Sequence, residues 1–250
     1  MFLPNRNHKL KMTIFSINNP PNFEIFAEGV VIPIDKPYRW TSADVVRKVK
    51  FALQRKLKNK NLKVGHAGTL DPLATGILLV CIGKATKQAD ALQAEEKEYI
   101  AEIELGATTP CFDLEKEIDN RFPYEHITKE KVEEALQQFV GTQEQIPPIF
   151  SAKIIDGKRA YEIARAGGEA EMKPATITIY ETELLIFDLP KIIVRMTCSK
   201  GTYVRAFARD LGLALQSGAH LTNLRRSRSG KFNLLNIIQL EDFEKFLVEN

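Results

Sequence analysis

Residues 65–82 read Gly65-His66-Ala67-Gly68-Thr69-Leu70-Asp71-Pro72-Leu73-Ala74-Thr75-Gly76-Ile77-Leu78-Leu79-Val80-Cys81-Ile82. The last six residues are an unbroken apolar run, the pattern of a buried strand. The twelve before them set one carboxylate, Asp71, in a turn of Gly, Thr and Pro. A loop carrying a lone acid beside a buried strand is a place where folds put chemistry. Asp71 can cap its own turn, as Asp before Pro often does, or act as a nucleophile or base. The loop lacks the phosphate-cradling pattern G-x-x-x-x-G-K-[ST] and the spacing of a nucleophile elbow.

Outward from this stretch, helical and strand periods alternate irregularly. Residues 29–34 read as a strand ending at Asp35-Lys36-Pro37. Thr41 or Ser42 caps a helix to about Leu57, with Val45, Val49, Ala52, Leu53 and Leu57 in phase and much of the rest basic. Residues 99–105 alternate, placing Tyr99, Ala101, Ile103 and Leu105 on one face. Residues 128–140 read as a helix with Val132, Leu136, Phe139 and Val140 inward. Strands follow at 175–187 and 191–198, then a helix from about Thr202 to Leu215. This mixture predicts an α+β fold with a mixed, mainly antiparallel central sheet flanked by helices and loops, not a doubly wound parallel sheet.

The chain has 250 residues, 44% hydrophobic and 27% charged, enough for a sizeable core. Residues 1–27, rich in Asn and Pro, read as a poorly ordered N-terminal extension, with Met1 or Met12 as the start. Residues 28–235 read as one catalytic domain and 236–250 as a short C-terminal tail. The apolar runs fall well short of the ~18 residues of a membrane span. Cys81, Cys111 and Cys198 are widely spaced, as in a cytoplasmic protein with reduced thiols. The four histidines show no metal-ligand spacing, so no metal site is expected.

The net charge of +3 hides an asymmetry. Residues 1–70 hold thirteen basic and four acidic residues, 95–145 five and fourteen, and 191–231 nine and one. Two basic blocks either suit a phosphate backbone or are ordinary solvated faces. In Cys198-Ser199-Lys200-Gly201-Thr202-Tyr203-Val204-Arg205 a strand gives way to a helix N-terminus, which favours an anion. Arg205 can partner a carboxylate, or pair at the surface with Asp210 or solvent. Tyr99 is either core or a ring for stacking on a base. Leu224-Arg225-Arg226-Ser227-Arg228 is a basic cluster or a solvated turn.

Together these residues resemble the TruB family of tRNA pseudouridine synthases. The resemblance runs from Asp35-Lys36-Pro37 with Thr41-Ser42, through Gly65–Gly76, Gly83-Lys84-Ala85-Thr86-Lys87, Lys97-Glu98-Tyr99 and Pro147-Pro148-Ile149-Phe150-Ser151-Ala152. It continues through Gly157–Glu162, Arg165, Cys198–Arg205, Asp210-Leu211 and Gly218–Arg226. It implies isomerisation of uridine 55 to pseudouridine in the T-loop of tRNA, by base flipping, without metal or organic cofactor. It makes Asp71 the catalytic aspartate. Arg205 would pair with Asp71, and Tyr99 would stack on the uracil. Tyr203 and Leu224 would line the base pocket, His66 would contact the opened loop, and Lys87 would steady a phosphate or the catalytic network. The basic helix after Thr41 and the Arg225–Arg228 cluster would contact phosphates. The expected partner is the tRNA T-arm, bound by a monomer with no obligate protein partner and no membrane.

Three departures from the family pattern stand out. Tyr38-Arg39-Trp40 occupies a segment where relatives often carry Gly. The acidic Thr-Asp is replaced within Thr108-Thr109-Pro110-Cys111-Phe112-Asp113, and Asp113 receives no role. The residues after Lys231 leave no room for a PUA-type RNA-binding domain. Another class of function, a tRNA-binding folding factor whose isomerase activity is incidental, fits the same features, as does a synthase directed to another RNA by a guide.

Overall fold

The computed structural model describes residues 12–250 except 152, 156, 166, 167 and 169–171. The chain divides into two compact units. One runs to Glu95 and takes in Ser227–Asn250; the other is Glu96–Arg226. The main elements are β1 (Thr13–Ile14), α1 (Ile25–Gly29), β2 (Val30–Lys36), α2 (Ser42–Lys56), β3 (Val64–Ala67), β4 (Ala74–Ile82) and α3 (Ala89–Ala94). Next come β5 (Lys97–Leu105), α4 (Lys129–Gln138), β6 (Gly141–Gln145), β7 (Ala175–Asp188), β8 (Lys191–Cys198) and α5 (Val204–Ala214). The chain ends with β9 (Ala219–Ser229), β10 (Phe232–Asn233), β11 (Ile238–Gln239) and α6 (Leu240–Glu249). The fold is α+β with mixed, mainly antiparallel pairing, as expected.

In the first unit β2 runs antiparallel to β4 over its whole length, and β3 adds to β4. The short strands β1 and β11 lie parallel to β2. Every residue from Ile77 to Ile82 is fully buried, which is why the run carries no alternation. Thr41 caps α2 in a reciprocal box with Asp44, each side chain accepting from the other's backbone N–H. Hydrogen bonds from Thr41, with help from Arg47, hold the Asp44 carboxyl below its ordinary range.

Two expectations change here. The extension read over 1–27 is anchored at two points among its described residues: Phe15 and Phe26 are buried, and Phe15 meets Phe243 and Phe246 edge-on at 5.3 and 5.2 Å. The tail read over 236–250 supplies those partners, through β11 and α6. Apolar burial, not charge, decides both ends.

In the second unit the strand order is β9-β5-β8-β7-β6, with β5, β8, β7 and β6 successively antiparallel. β5 alternates buried and half-buried along all nine residues, as its sequence pattern requires. Val132 and Leu136 of α4 point inward, but Val140 does not. The helix stops at Gln138 and Phe139 caps it, leaving Val140 41% exposed. Phe139 instead packs edge-on against Phe207 of α5.

All three cysteines are free thiols and buried. Burial pushes the Cys81 and Cys198 thiols up to about 11. An unfolded chain releases those protons from roughly pH 8.5, so stability is full below that pH and falls as pH rises toward about 11. Thermal melts from pH 8 to 11 should show a shallower loss of Tm for Cys81→Ala/Cys198→Ala than for the parent. Parallel slopes would rule the thiols out as the cause.

Candidate active site

Asp71 sits between β3 and β4 on a turn closed by the Ala74 N–H donating to the Asp71 carbonyl at 3.1 Å. Gly68 and Gly76 bracket it with φ of 91° and 93°, a region L-residues with side chains rarely enter. The Asp71 side chain is half-buried.

The turn is clamped from one side by the segment joining β2 to α2. Lys36 is fully buried, and its ammonium donates to the carbonyls of Trp40, Pro37 and Pro72 at 2.6, 2.9 and 3.1 Å. The Arg39 N–H donates to Pro72 as well, at 2.8 Å. The Ser42 hydroxyl accepts from the Leu70 N–H at 2.9 Å and donates to the Leu70 carbonyl at 3.0 Å. Asp35 accepts from the Gly76 N–H and from Gln239, each at 3.1 Å. Residues 68–76 are thus held at both flanks and across the turn.

Arg39 pays for this closure: its φ is 67°, costing about 1 kcal/mol or more for a residue with a Cβ. The departure Tyr38-Arg39-Trp40 therefore keeps the left-handed backbone that a glycine would adopt freely.

His66 lies on β3 opposite Val80 and is half-buried; Lys87 is exposed in the 3-10 turn Gly83–Gln88. Asp71, His66 and Lys87 belong to the first unit, and Tyr99, Tyr203, Arg205 and Leu224 to the second. Tyr99 is 9% exposed, on the same face of β5 as Ala101 and Ile103. Leu224 is buried on β9, and Tyr203 is half-buried just before α5. Gln145 grips the Tyr203 backbone both ways, accepting from its N–H at 2.8 Å and donating to its carbonyl at 3.1 Å.

Arg205 is 4% exposed, which overturns the reading of a surface pair. Asp210 is instead held by Arg209 at 2.7 Å. The Arg205 guanidinium donates to the carbonyls of Cys111 and Phe150 at 3.2 and 2.9 Å, and its Nε lies 3.5 Å from Asp113 Oδ2. Asp113, given no role from sequence, is 3% exposed and also accepts from the Glu115 N–H. Nothing local marks it, because its partner lies in α5.

The Arg225–Arg228 cluster is a strand rather than a turn. Arg226 is 1% exposed, so it does not present its charge to solvent, while Arg225 and Arg228 are half-buried. Among the described residues no group of His, Cys, Asp and Glu could hold a metal ion, and no helix is long and apolar enough to cross a membrane.

Residues 54–204 match the model of the TruB family pseudouridylate synthase N-terminal domain, and residues 205–250 that of the tRNA pseudouridylate synthase B C-terminal domain. The chain belongs to the TruB family. This TruB-family chain is 58% identical over 222 residues to the tRNA pseudouridine synthase B of Phocaeicola vulgatus, covering 89% of the chain and 94% of the relative. Against the protein of the same name from Flavobacterium johnsoniae the identity is 49% over 225 residues, covering 90% and 98%. Among solved structures, a Cbf5-Nop10-Gar1 complex contains a chain 28% identical, with a TM-score of 0.69 over 97% of this one. The TruB-family chain spans 60% of that longer protein.

The Lys36 clamp gives a direct test. Lys36→Met keeps the stem but removes the three hydrogen bonds from the ammonium, at about 1 kcal/mol each. Denaturant unfolding should show a loss of about 3 kcal/mol; a change below about 1 kcal/mol would remove the clamp from the account of the turn.

Proposed function

We propose that this chain converts uridine 55 of tRNA to pseudouridine, with Asp71 as the catalytic carboxylate. The observation that carries this reading is Asp71 itself, in a turn fixed by two left-handed glycines and the Lys36 clamp, in a chain of the TruB family. The names of the relatives support tRNA as the substrate.

The reaction breaks the N1–C1′ bond, turns the uracil and joins C5 to C1′; the C5 proton then leaves and N1 gains one. Atoms and electrons balance within the substrate, so no electron carrier is required. Asp71 serves as nucleophile at C1′ or as base toward a sugar proton, and both roles use the ionised form. C1′ and C5 are inaccessible in a stacked loop, so the nucleotide is extruded at a cost of a few kcal/mol. Base stacking worth about 1–3 kcal/mol offsets this. Tyr99 stacks on the uracil, Tyr203 and Leu224 line its pocket, and His66 contacts the opened loop. Arg205 and Lys87 support the charged groups. The enzyme works on the T-arm as a cytoplasmic monomer.

Purified protein incubated with unmodified tRNA transcript should form pseudouridine at the T-loop position, mapped at nucleotide resolution. Asp71→Asn should lower the single-turnover rate by at least about 10³-fold while binding the transcript within about threefold of the parent. Product at another position would overturn the substrate claim. Near-parental activity of Asp71→Asn would overturn the catalytic assignment, and accelerated tRNA refolding without isomerisation would favour the folding-factor reading.

A further inference from the structure

Beside the basic face of α2, already expected to meet phosphates, lie the half-buried ring of Trp40, the exposed ring of Phe51 and the Arg39 side chain, to which no role has been given. An open depression of about 560 Å³ is lined by Arg39, Trp40, Asp44, Arg47, Lys48 and Phe51. A second, of about 500 Å³, adjoins it, with Phe51 and Lys48 forming the shared wall. Phe51 is 69% exposed, although its neighbours Val45, Val49 and Leu53 are fully buried. A phenylalanine left in water on a helix surface is not explained by packing.

The charges around it are unevenly committed. Arg47 is paired with Asp44, and Lys48 with Glu244, each at 2.8 Å. The Arg39 guanidinium has no ion pair among the described residues; it lies over the Tyr38 ring at 5.6 Å. Arg39 is also the residue held at φ 67°, a conformation that a glycine would adopt without strain. An outlier of this kind, at the rim of a depression, points to use of the side chain. Its backbone donates to Pro72, next to Asp71, so the depression begins at the catalytic turn.

We propose that this patch is a second RNA-contacting surface. One unpaired base of the substrate, outside the target nucleotide, stacks on Phe51 with Trp40 alongside. Arg39, with Lys48 and Arg47 flanking, holds the neighbouring phosphates. Basic groups around an exposed ring are the chemistry of a single-stranded nucleic-acid platform, where ring stacking and phosphate contact act together. The occupant is the same RNA that the preceding section proposes as substrate, and the inference rests on that reading.

The test uses the full chain and unmodified tRNA transcript, with Kd measured between 0.05 and ~0.3 M KCl. Arg39→Gly suits the backbone, so folding is preserved and only the side chain is lost. It should weaken binding about 5- to 10-fold at low salt and reduce the slope of log Kd against log salt by about 0.7–0.9. Phe51→Ala should weaken binding at least about fivefold with the slope unchanged. Pseudouridine formation by the parent is scored alongside, and its absence would sink the functional reading rather than the patch. A parent that makes pseudouridine while both variants bind with parental affinity and slope would overturn the patch. So would a parent that self-associates through this surface and is made monomeric by Phe51→Ala.

Discussion

A single buried ammonium organises the candidate catalytic turn. Lys36 has lost its water and is solvated by three carbonyls, two from its own loop and one from the Asp71–Pro72 turn. Charge-assisted hydrogen bonds of this kind are stronger than neutral ones, and an unsolvated buried charge is costly. Separating the two loops therefore strips the charge of the Pro72 carbonyl. Asp35, Lys36 and Ser42 precede Asp71 by about thirty residues in the sequence and act on the same turn. What reads as two short motifs is one mechanical part, and it removes the freedom a carboxylate would otherwise lose on meeting its substrate.

The second unit uses the opposite economy of charge. Arg205 enters the interior at the start of a helix, where its guanidinium fork meets two carbonyls and the Asp113 carboxylate. Removing the arginine would leave the Asp113 carboxylate buried without this counter-charge, which is the costly direction for such pairs. Gln145 does for the Tyr203 backbone what a strand partner would do, so the residues flanking the helix start are fixed before any ligand arrives.

Much of this was legible in the sequence where the cause is local. The alternation of β5, the capping of α2 by Thr41 and the unbroken apolar run of β4 follow from nearest-neighbour geometry. The family pattern singled out Asp71, but not the means of holding it. Long-range features stayed hidden. Asp113 needs α5 for its meaning, Arg226 reads as surface charge until β9 buries it, and Phe15 looks like part of a loose leader until α6 covers it. Arg39 was visible as a departure, yet only its φ shows that the backbone kept the glycine-like shape.

The pairing of Ile238–Gln239 with Ile34–Asp35, and of Phe15 with Phe243 and Phe246, has a consequence for biosynthesis. The unit that carries Asp71 is discontinuous: its two segments are made before and after all of Glu96–Arg226. A ribosome delivers the interposed unit whole, and domains fold as they emerge. The Asp71 unit, by contrast, waits for α6 to clear the exit tunnel before its aromatic cluster can close. Its assembly comes after that of the interposed unit, set by the order in which the chain is delivered rather than by the stability of its parts.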